Sequence, residues 1–317
     1  MMGPTEQTIF EQFPYWSRAI ASLAAPQEAE VLVFVGCGTS YYIALSLAAT
    51  ANAAGRRAIA VPGGEWLVRP ASYWPNWKAA HVIALSRSGE TTETVAAAKA
   101  SRAAGAFVTA ITVEPESALA KNCDRLVAAA THPGEGVVMT SSASLMLLLG
   151  IQLLGHTVSP SIVAAAQRLL EDVDAQLPGA IAGRSHFVYL GGGALYGIAS
   201  EGALKLMEMS QVYTQAFHPL EYRHGPISLV DESTMAVMLY SGEREAEAKL
   251  AREIQDKGGR VLGLGGPGDA SFDVSVDPAV TGLALLPALQ LLGERAAQSR
   301  NINTVAPRHL TKVVMLG

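Results

Sequence analysis

The sequence VLVFVGCGTS, residues 31–40, decides the fold class. It begins with five apolar residues rich in valine, a composition typical of a strand buried on both faces of a parallel sheet. The apolar run ends at Gly36-Cys37-Gly38, and an alanine-rich helical stretch follows Thr39 and Ser40. A strand, a glycine turn and a helix in this order predict the start of an α/β fold.

The same pattern returns about 155 residues later, which indicates an internal duplication. Three segments recur in the same order: VGCGTSYYIA (35–44) as LGGGALYGIA (190–199), HVIALSRSGE (81–90) as STMAVMLYSGE (233–243), and FVTAIT (107–112) as RVLGLG (260–265). Each segment is an apolar run that alternates with helical stretches, as in parallel βαβ units. We therefore expect two related lobes, each with its own parallel sheet.

The duplication predicts five segments. They are an N-terminal helical segment (1–30), a first subdomain (31–158), a helical linker (159–183), a second subdomain (184–305) and a C-terminal tail (306–317). Within them, Thr5 to Leu23 is predicted as one leading helix. Val163 to Leu177 is predicted as a linker helix that ends before Pro178-Gly179, because proline and glycine are typical helix breakers.

Composition excludes several classes of protein. The net charge of −5 argues against nucleic acid as the partner, because neutralising phosphates needs a basic face. The two cysteines suggest neither a disulfide framework nor a zinc site. The first residues lack the apolar core of a signal peptide, and the longest apolar stretch, Ala143 to Leu154, is too short to span a bilayer. We expect a cytoplasmic enzyme or binding protein without membrane contact, cofactor or metal.

Hydroxyl side chains follow two strands of the first lobe. Thr39 and Ser40 come after the first strand, and Ser86, Ser88 and Thr91 come after the HVIAL strand. Parallel strands bring such turns to one edge of a sheet, where hydroxyls and backbone amides suit a phosphate monoester. The alternative is that each hydroxyl simply caps a helix.

A dinucleotide site is the nearest competing interpretation, and it fails on detail. Tyr41 stands where the third glycine of that motif belongs, and the next strand ends at Pro62-Gly63 without an acidic residue for a ribose. The second lobe has Ala194 and Leu195 in place of the first hydroxyls. One lobe is thus predicted to hold the phosphate, which leaves the other for a different purpose.

Candidate acid–base groups lie in the second lobe. Glu201, Lys205 and Glu208 share one helical face, and a carboxylate beside a cation suits proton transfer between adjacent sugar carbons. The alternative is a solvated ion-pair stripe. His224 stands before Gly225-Pro226 and could open a sugar ring, or could simply hydrogen-bond within its turn.

These motifs together resemble the double-domain form of the SIS (sugar isomerase) family. The resemblance is carried by CGTS (37–40), SRSGET (86–91), EGALKLME (201–208), EYRHGP (221–226) and APRHLTKVV (306–314). It is strongest to the isomerase half of glutamine–fructose-6-phosphate aminotransferase and to stand-alone amino-sugar-6-phosphate deaminases and isomerases. The resemblance implies two flavodoxin-like αβα sandwiches, with parallel sheets, working as a homodimer.

The resemblance also implies roles for individual residues. Glu208 would move the proton between C1 and C2, and Lys205 would stabilise the enolate. His224, contributed across the dimer interface, would open the ring, and Lys312 would reach back over the sugar, as a Schiff-base lysine in the synthase. The phosphate would be held by Cys37, Gly38, Thr39, Ser40, Ser86, Arg87, Ser88 and Thr91. Further substrate contacts would come from Val138, Ser141 and Glu221.

Three departures from the synthase affect the expected reaction. The sequence shows no glutaminase domain, so we do not expect glutamine-driven amination. Arg87 replaces a glutamine, and Ser142 replaces a lysine within VMTSS (138–142), which is more like ketose/aldose isomerases. We expect isomerisation with ammonia release, for example glucosamine 6-phosphate to fructose 6-phosphate. The alternatives are a tagatose-6-phosphate type aldose/ketose isomerase and a non-catalytic sensor of sugar phosphates.

Overall fold

The computed structural model describes residues 2–242 and 244–314. Glu243, the last residue of the second repeat, and residues 315–317 of the predicted tail lie outside the described residues. The chain divides into two compact units. The first unit comprises Glu11–Ser159 and His309–Gly317, and the second comprises Met1–Phe10 and Pro160–Arg308. The five-segment division made from the sequence stays a prediction.

Helices alternate with strands over most of the chain. Up to residue 159 they are α1 Pro4–Phe10, α2 Phe13–Ala19, β1 Val31–Gly36, α3 Thr39–Ala53, β2 Ala58–Pro62, α4 Gly63–Val68, β3 Ala80–Leu85, α5 Thr92–Ala103, β4 Phe107–Thr112, α6 Ala118–Lys121, β5 Arg125–Ala128 and α7 Ser141–Leu153. Beyond it they are α8 Pro160–Ile181, β6 His186–Gly191, α9 Ala194–Ser210, β7 Thr214–Phe217, β8 Thr234–Leu239, α10 Arg244–Gln255, β9 Arg260–Leu264, β10 Ala270–Phe272 and α11 Pro278–Ser299. Short 3₁₀ turns span Pro70–Ser72, Trp77–Ala79, Glu221–Arg223 and Pro226–Leu229.

Both units contain a five-stranded parallel sheet with the same strand order. The order is β2-β1-β3-β4-β5 in the first unit and β7-β6-β8-β9-β10 in the second. This is the flavodoxin-like order, in which the first strand lies between the second and the third. The predicted fold class, an α/β protein of two flavodoxin-like subdomains, is confirmed.

Equivalent glycines shape the first turn of each unit. Gly38 and Gly193 both have φ of 55° and cap the helix that follows the first strand. A Cβ on Gly36 would come within 2.6 Å of the Ser40 backbone, and one on Gly191 within 2.4 Å of the Leu195 carbonyl oxygen. The glycines recognised as a repeat in the sequence therefore have the same backbone function twice.

The predicted leading helix over Thr5 to Leu23 is wrong, because the chain forms α1 and α2 with a break at Glu11-Gln12. Pro14 lies in the first turn of α2, where its missing N–H has no intrahelical partner to lose. The buried side chain of Gln12 accepts a hydrogen bond from the Ser144 hydroxyl. A proline that starts a helix thus separates two short helices.

The linker helix is also longer than predicted. α8 runs through Pro178 to Ile181, although proline removes one backbone donor. Val173, Leu177 and Ile181 are buried at a spacing of four residues. This apolar face continues past the proline, and its burial compensates for the lost hydrogen bond.

No helix within residues 2–242 and 244–314 has the length and apolarity needed to cross a bilayer.

Candidate functional site

The hydroxyl-bearing turns of the first unit lie at the switch point of its sheet. β1 and β3 are neighbours, and the chain leaves them in opposite directions toward β2 and β4. Ligands of open α/β sheets bind at this point, outside the carboxyl ends of the strands. The turn after β1 carries Thr39 and Ser40, and the turn after β3 carries residues 86–91. The structure thus brings the two predicted turns to one edge.

Several of these hydroxyls are buried and mutually bonded. Thr39, Ser40 and Ser86 are at most 4% exposed. The Ser86 hydroxyl accepts the Gly89 N–H at 3.1 Å and lies 3.4 Å from the Thr91 hydroxyl. The Ser88 hydroxyl accepts the Glu90 N–H at 3.2 Å. The loop from Ser86 to Thr91 is therefore a compact turn that presents hydroxyls and amides together.

The capping alternative does not account for Thr91. It stands at the N-cap of α5, yet no backbone N–H in the described part of that helix bonds to its hydroxyl. Ser86 and Thr91 instead lie side by side at the strand end. A hydroxyl that is not used to cap its own helix is available to a ligand.

The loop is fixed by its surroundings. The carbonyl oxygen of Arg87 accepts bonds from the Thr112 hydroxyl at 3.1 Å and from the Val113 N–H at 3.4 Å. Gly89 has φ of 63°, and a Cβ there would lie 2.0 Å from the Ser117 hydroxyl oxygen. Only glycine fits at this position of the turn.

Cys37 is a neutral thiol that packs against the first turn of α5. Its Sγ lies 3.5 Å from the Thr94 hydroxyl, and a Cβ on Gly63 would come within 2.9 Å of it. Burial raises the pKa of the Cys37 thiol above its usual value. The predicted contribution of Cys37 and Gly38 to phosphate binding would come from the turn they build, not from a thiolate.

Arg87 points into a separate part of the first unit. Its guanidinium donates to the carbonyl oxygens of Gly136 at 3.1 Å and Lys312 at 2.7 Å, and lies 3.9 Å from a carboxylate oxygen of Glu135. The ammonium of Lys312 donates to the Glu135 carbonyl oxygen at 3.0 Å. One cavity of about 240 Å³ is lined by Arg87, Glu135 and Lys312 together with Ser88.

Val138 and Ser141, the other predicted contacts in this unit, are almost fully buried. The Ser141 hydroxyl accepts a bond from the Thr131 hydroxyl at 3.1 Å. Ser142, which replaces the synthase lysine, has a buried hydroxyl with no hydrogen-bond partner among the described residues. The first turn of α7 is therefore rich in buried hydroxyls.

The corresponding turn of the second unit contains a carboxylate of the protein itself. Glu247, in the first turns of α10, is 2% exposed. Its carboxylate accepts the Ser241 N–H at 3.0 Å and the Ser241 hydroxyl at 2.5 Å. A Cβ on Gly192 would lie 3.9 Å from the same carboxylate. The turn after β6 thus lacks hydroxyls at Ala194 and Leu195, and the turn after β8 already contains a carboxylate of the protein.

The predicted acid–base residues of the second unit meet on α9. The Lys205 ammonium bonds to the Glu208 carboxylate and lies 3.6 Å from Glu201 Oε1. Lys205 and Glu201 are at most 1% exposed, while the Glu208 side chain is 20% exposed. The solvated-stripe alternative is therefore wrong, because a solvated stripe would not be buried. One ammonium between two carboxylates carries a formal charge of −1.

Close packing against α11 positions this set. A Cβ on Gly293 would meet the Lys205 carbonyl oxygen at 3.1 Å and Met209 Sδ at 2.9 Å. A Cβ on Gly202 would clash with the ring of Tyr189 at 2.8 Å. Glycines at these contacts let α11 and β6 approach the backbone of α9, so Lys205 sits on a rigid element.

His224 and Glu221 lie on the exposed loop after β7. His224 follows the 3₁₀ turn Glu221–Arg223, and its N–H donates to the Glu221 carbonyl oxygen at 2.9 Å. Gly225 has φ of 126°, which fixes the turn that presents the imidazole. Both side chains are exposed, so His224 is accessible to a ligand or to another chain.

The described part of the chain contains no group of three or more His, Cys, Asp or Glu side chains placed to share a metal ion.

Comparison with known proteins identifies the family. The model of the SIS domain matches residues 27–154 and 180–271, which is more than half of the chain. The chain belongs to the SIS domain family. The two matched stretches fall in the first and second units, so each flavodoxin-like unit corresponds to one SIS match.

Two solved structures are similar over nearly the whole chain. The glucosamine-6-phosphate deaminase of Thermotoga maritima is 30% identical with a TM-score of 0.86, covering 99% of this chain and 100% of that one. The tagatose-6-phosphate ketose/aldose isomerase of Escherichia coli is 24% identical with a TM-score of 0.82, covering 94% and 93% of the two chains. The latter likeness shows the fold alone.

Curated relatives are longer. The glutamine–fructose-6-phosphate aminotransferase (isomerizing) of Sulfurisphaera tokodaii is 28% identical over 302 residues, which is 91% of this chain and 50% of the relative. The enzyme of the same name from Caulobacter vibrioides is 30% identical over 264 residues, covering 74% of this chain and 44% of the relative. The chain spans about half the length of the curated relatives it matches.

Glu135 and Glu247, two buried carboxylates near the candidate site, were not predicted from the sequence. Glu135 is 5% exposed, and one of its oxygens accepts bonds from the Thr140 N–H, the Thr140 hydroxyl and the Ser142 N–H. For Glu135, the available signal was an acidic residue a few positions before a run of Thr and Ser that starts a helix.

Proposed function

We propose that this SIS protein is a phosphosugar isomerase that releases ammonia from an amino-sugar 6-phosphate. The observation that carries the proposal is the likeness, over the full length of both chains, to a glucosamine-6-phosphate deaminase. The buried Glu201–Lys205–Glu208 set and the hydroxyl loop at residues 86–91 are the chemical groups that such a reaction needs.

The loop of the first unit would bind the phosphate. Backbone N–H groups and the hydroxyls of Ser86, Ser88 and Thr91 would donate to the ester oxygens. Charge-assisted bonds of this kind are worth about 1.5–3 kcal/mol each. The rigid turn around Gly89 loses little freedom on binding, which favours affinity.

The second unit would carry out the proton transfer. After the sugar ring opens, the Glu208 carboxylate would remove the proton from C2 and return it to C1. Meanwhile the negative charge that develops on the oxygen at C1 would be stabilised by the Lys205 ammonium. The product is an imine at C2; addition of water there and loss of ammonia give the ketose. One water is consumed and one ammonia released, so the reaction balances.

His224 is proposed as the acid–base group that opens the ring, since its imidazole is exposed and histidine is a common general acid and base. That it acts across a homodimer interface stays a prediction. Lys312 is proposed to contact the sugar from the C-terminal segment, and an amine there is most useful where nitrogen enters or leaves C2.

A substrate panel tests the proposal. Ammonia release from glucosamine 6-phosphate would be measured beside interconversion of hexose 6-phosphates, with free glucosamine as the control that lacks the phosphate. We expect ammonia from glucosamine 6-phosphate only. Interconversion of hexose phosphates without ammonia would favour an aldose/ketose isomerase. Binding without turnover of any compound would favour a sensor.

A further inference from the structure

Arg87 lies in the loop of residues 86–91, the proposed phosphate loop, but its side chain points away from that loop. It stands between Ser86 and Ser88, but its guanidinium reaches two carbonyl oxygens, one of them that of Lys312 in the C-terminal segment. Arg87 is 8% exposed, so this charge is largely removed from water. A buried guanidinium must be matched by acceptors, and here the acceptors belong to the protein.

Glu135 supplies the opposite charge. One carboxylate oxygen is saturated by bonds from Thr140 and Ser142 at the start of α7, and the other faces Arg87 at 3.9 Å. The helix N-terminus and these donors stabilise the buried carboxylate, which is thereby fixed in position. Glu135 thus ties Arg87 to a rigid helix.

The C-terminal segment is attached to this pair at two points. The carbonyl oxygen of Lys312 accepts from Arg87 at 2.7 Å, and its ammonium donates to the carbonyl oxygen of Glu135 at 3.0 Å. The backbone of Lys312 is therefore bound by Arg87, and its side chain is bound by Glu135. Outside these contacts the segment is largely exposed.

We propose that Arg87 and Glu135 are positioning residues that hold the Lys312 segment beside the loop carrying Ser88. Arg87 then acts on the C-terminal segment and is not itself a phosphate ligand. The backbone of Arg87 belongs to the phosphate loop, so the loop and the segment are mechanically joined through one residue. The effect on turnover rests on the proposed function, whereas the attachment of the segment does not.

The attachment is tested by cleavage after Lys312 with a lysine-specific protease, followed by mass spectrometry. The variants are Arg87→Met, Glu135→Gln and the double variant, with Arg102→Met as the matched control. Arg102 also pairs with a carboxylate of the first unit, Asp124, but on its surface. The protease must withdraw the Lys312 ammonium from Glu135, so cleavage reports detachment directly.

We expect Arg87→Met to raise the cleavage rate about tenfold to a hundredfold, the range set by the loss of its charge-assisted hydrogen bond to the Lys312 carbonyl oxygen. Glu135→Gln keeps the main-chain acceptor of the Lys312 ammonium and removes only the charge that faces Arg87, so we expect a smaller, severalfold increase. The double variant should be no faster than Arg87→Met, because the Glu135 carboxylate acts on the segment only through the Arg87 guanidinium. Arg102→Met should match the wild type. Rates within twofold of wild type for both single variants would overturn the proposal.

Two further measurements separate this role from the alternatives. Glu135→Gln should bind inorganic phosphate with wild-type affinity while kcat on glucosamine 6-phosphate falls. If Arg87→Met weakens phosphate binding and leaves cleavage after Lys312 unchanged, Arg87 is a phosphate ligand and the proposal is wrong. Should no substrate turn over, the cleavage rates still decide the attachment, so its failure is distinct from failure of the proposed function.

Discussion

At the scale of single residues, the polar groups of the candidate site are of two kinds. Some are proposed to hydrogen-bond to a ligand, and others are hydrogen-bonded by the protein itself. Thr91 belongs to the first kind, since its hydroxyl is not used to cap α5 within the described residues. Glu247 belongs to the second, since its carboxylate occupies the turn of the second unit. Equivalent turns of the two units therefore differ in what their polar side chains contact.

Removing hydroxyls from the phosphate loop should weaken binding more than stability. Thr91→Val and Ser88→Ala each remove a proposed donor to the phosphate, so we expect the Kd for a sugar phosphate to rise by tenfold or more. Calorimetric titration measures this. Ser271→Ala, an exposed serine of the second unit, is the control. Unchanged affinity in both variants, or equal affinity for free and phosphorylated sugar, would rule out this loop as the phosphate site.

His81 should make the first unit sensitive to acid. It is fully buried between Thr109 and the Gln27 carbonyl oxygen, and burial lowers its pKa to about 4. Unfolded histidine titrates near 6.5, so below that pH the unfolded chain binds more protons and folding loses free energy. The loss reaches about 3 kcal/mol at pH 4.

Urea unfolding followed by tryptophan fluorescence measures this loss. The four tryptophans, Trp16, Trp66, Trp74 and Trp77, all belong to the first unit, so their signal isolates it. Between pH 7.5 and pH 4 the wild type should lose about 3 kcal/mol more than His81→Gln. Parallel pH profiles for the two proteins would contradict the assignment.

At the scale of elements, the site depends on how closely helices approach α9. Gly293→Ala would push α11 away from the Lys205 backbone, and overpacking of this kind costs about 1–3 kcal/mol. Gly179→Ala is the control: it lies in helix α8 with open space at its Cβ, so it should stabilise by up to about 1 kcal/mol. Thermal unfolding by circular dichroism compares them. A neutral or stabilising effect of Gly293→Ala would contradict this prediction, because it would show that α11 and α9 accommodate a methyl group at this contact without cost.

The sequence was informative where local pattern and chemistry coincide. The glycine turns and the apolar central strands predicted the fold, and the spacing of Glu201, Lys205 and Glu208 predicted that they share one helical face. The sequence left open whether that face is buried or solvated. The edge strands β5, β7 and β10 were not predicted, because three or four residues carry no usable periodicity.

The direction of the Arg87 side chain and the partners of Glu135 could not be predicted either. They depend on contacts between residues far apart in sequence, such as Arg87 with Lys312. The proline that lies in the first turn of α2 was visible in the sequence, but the continuation of α8 through Pro178 required knowing what its buried face packs against.

At the scale of the whole molecule, one fold occurs twice, and the proposed function gives each copy a different role. A phosphate dianion near Glu247 would be repelled by about 4 kcal/mol for each pair of unit charges 4 Å apart at an effective dielectric constant of 20. We therefore expect one sugar phosphate per chain in equilibrium dialysis, and none for the Ser88→Ala/Thr91→Val double variant. Two equivalent sites per chain would contradict this division of roles.

The proton transfer assigned to Glu208 is the central claim, and one measurement tests it most directly. Glucosamine 6-phosphate is incubated in deuterated water with the wild type or with Glu208→Gln, and deuterium at C1 and C2 is followed by NMR. Loss of a general base costs about 10²–10⁴ in rate, so the wild type should incorporate deuterium and the variant should be slower by at least a hundredfold. Incorporation by Glu208→Gln at the wild-type rate would contradict the account.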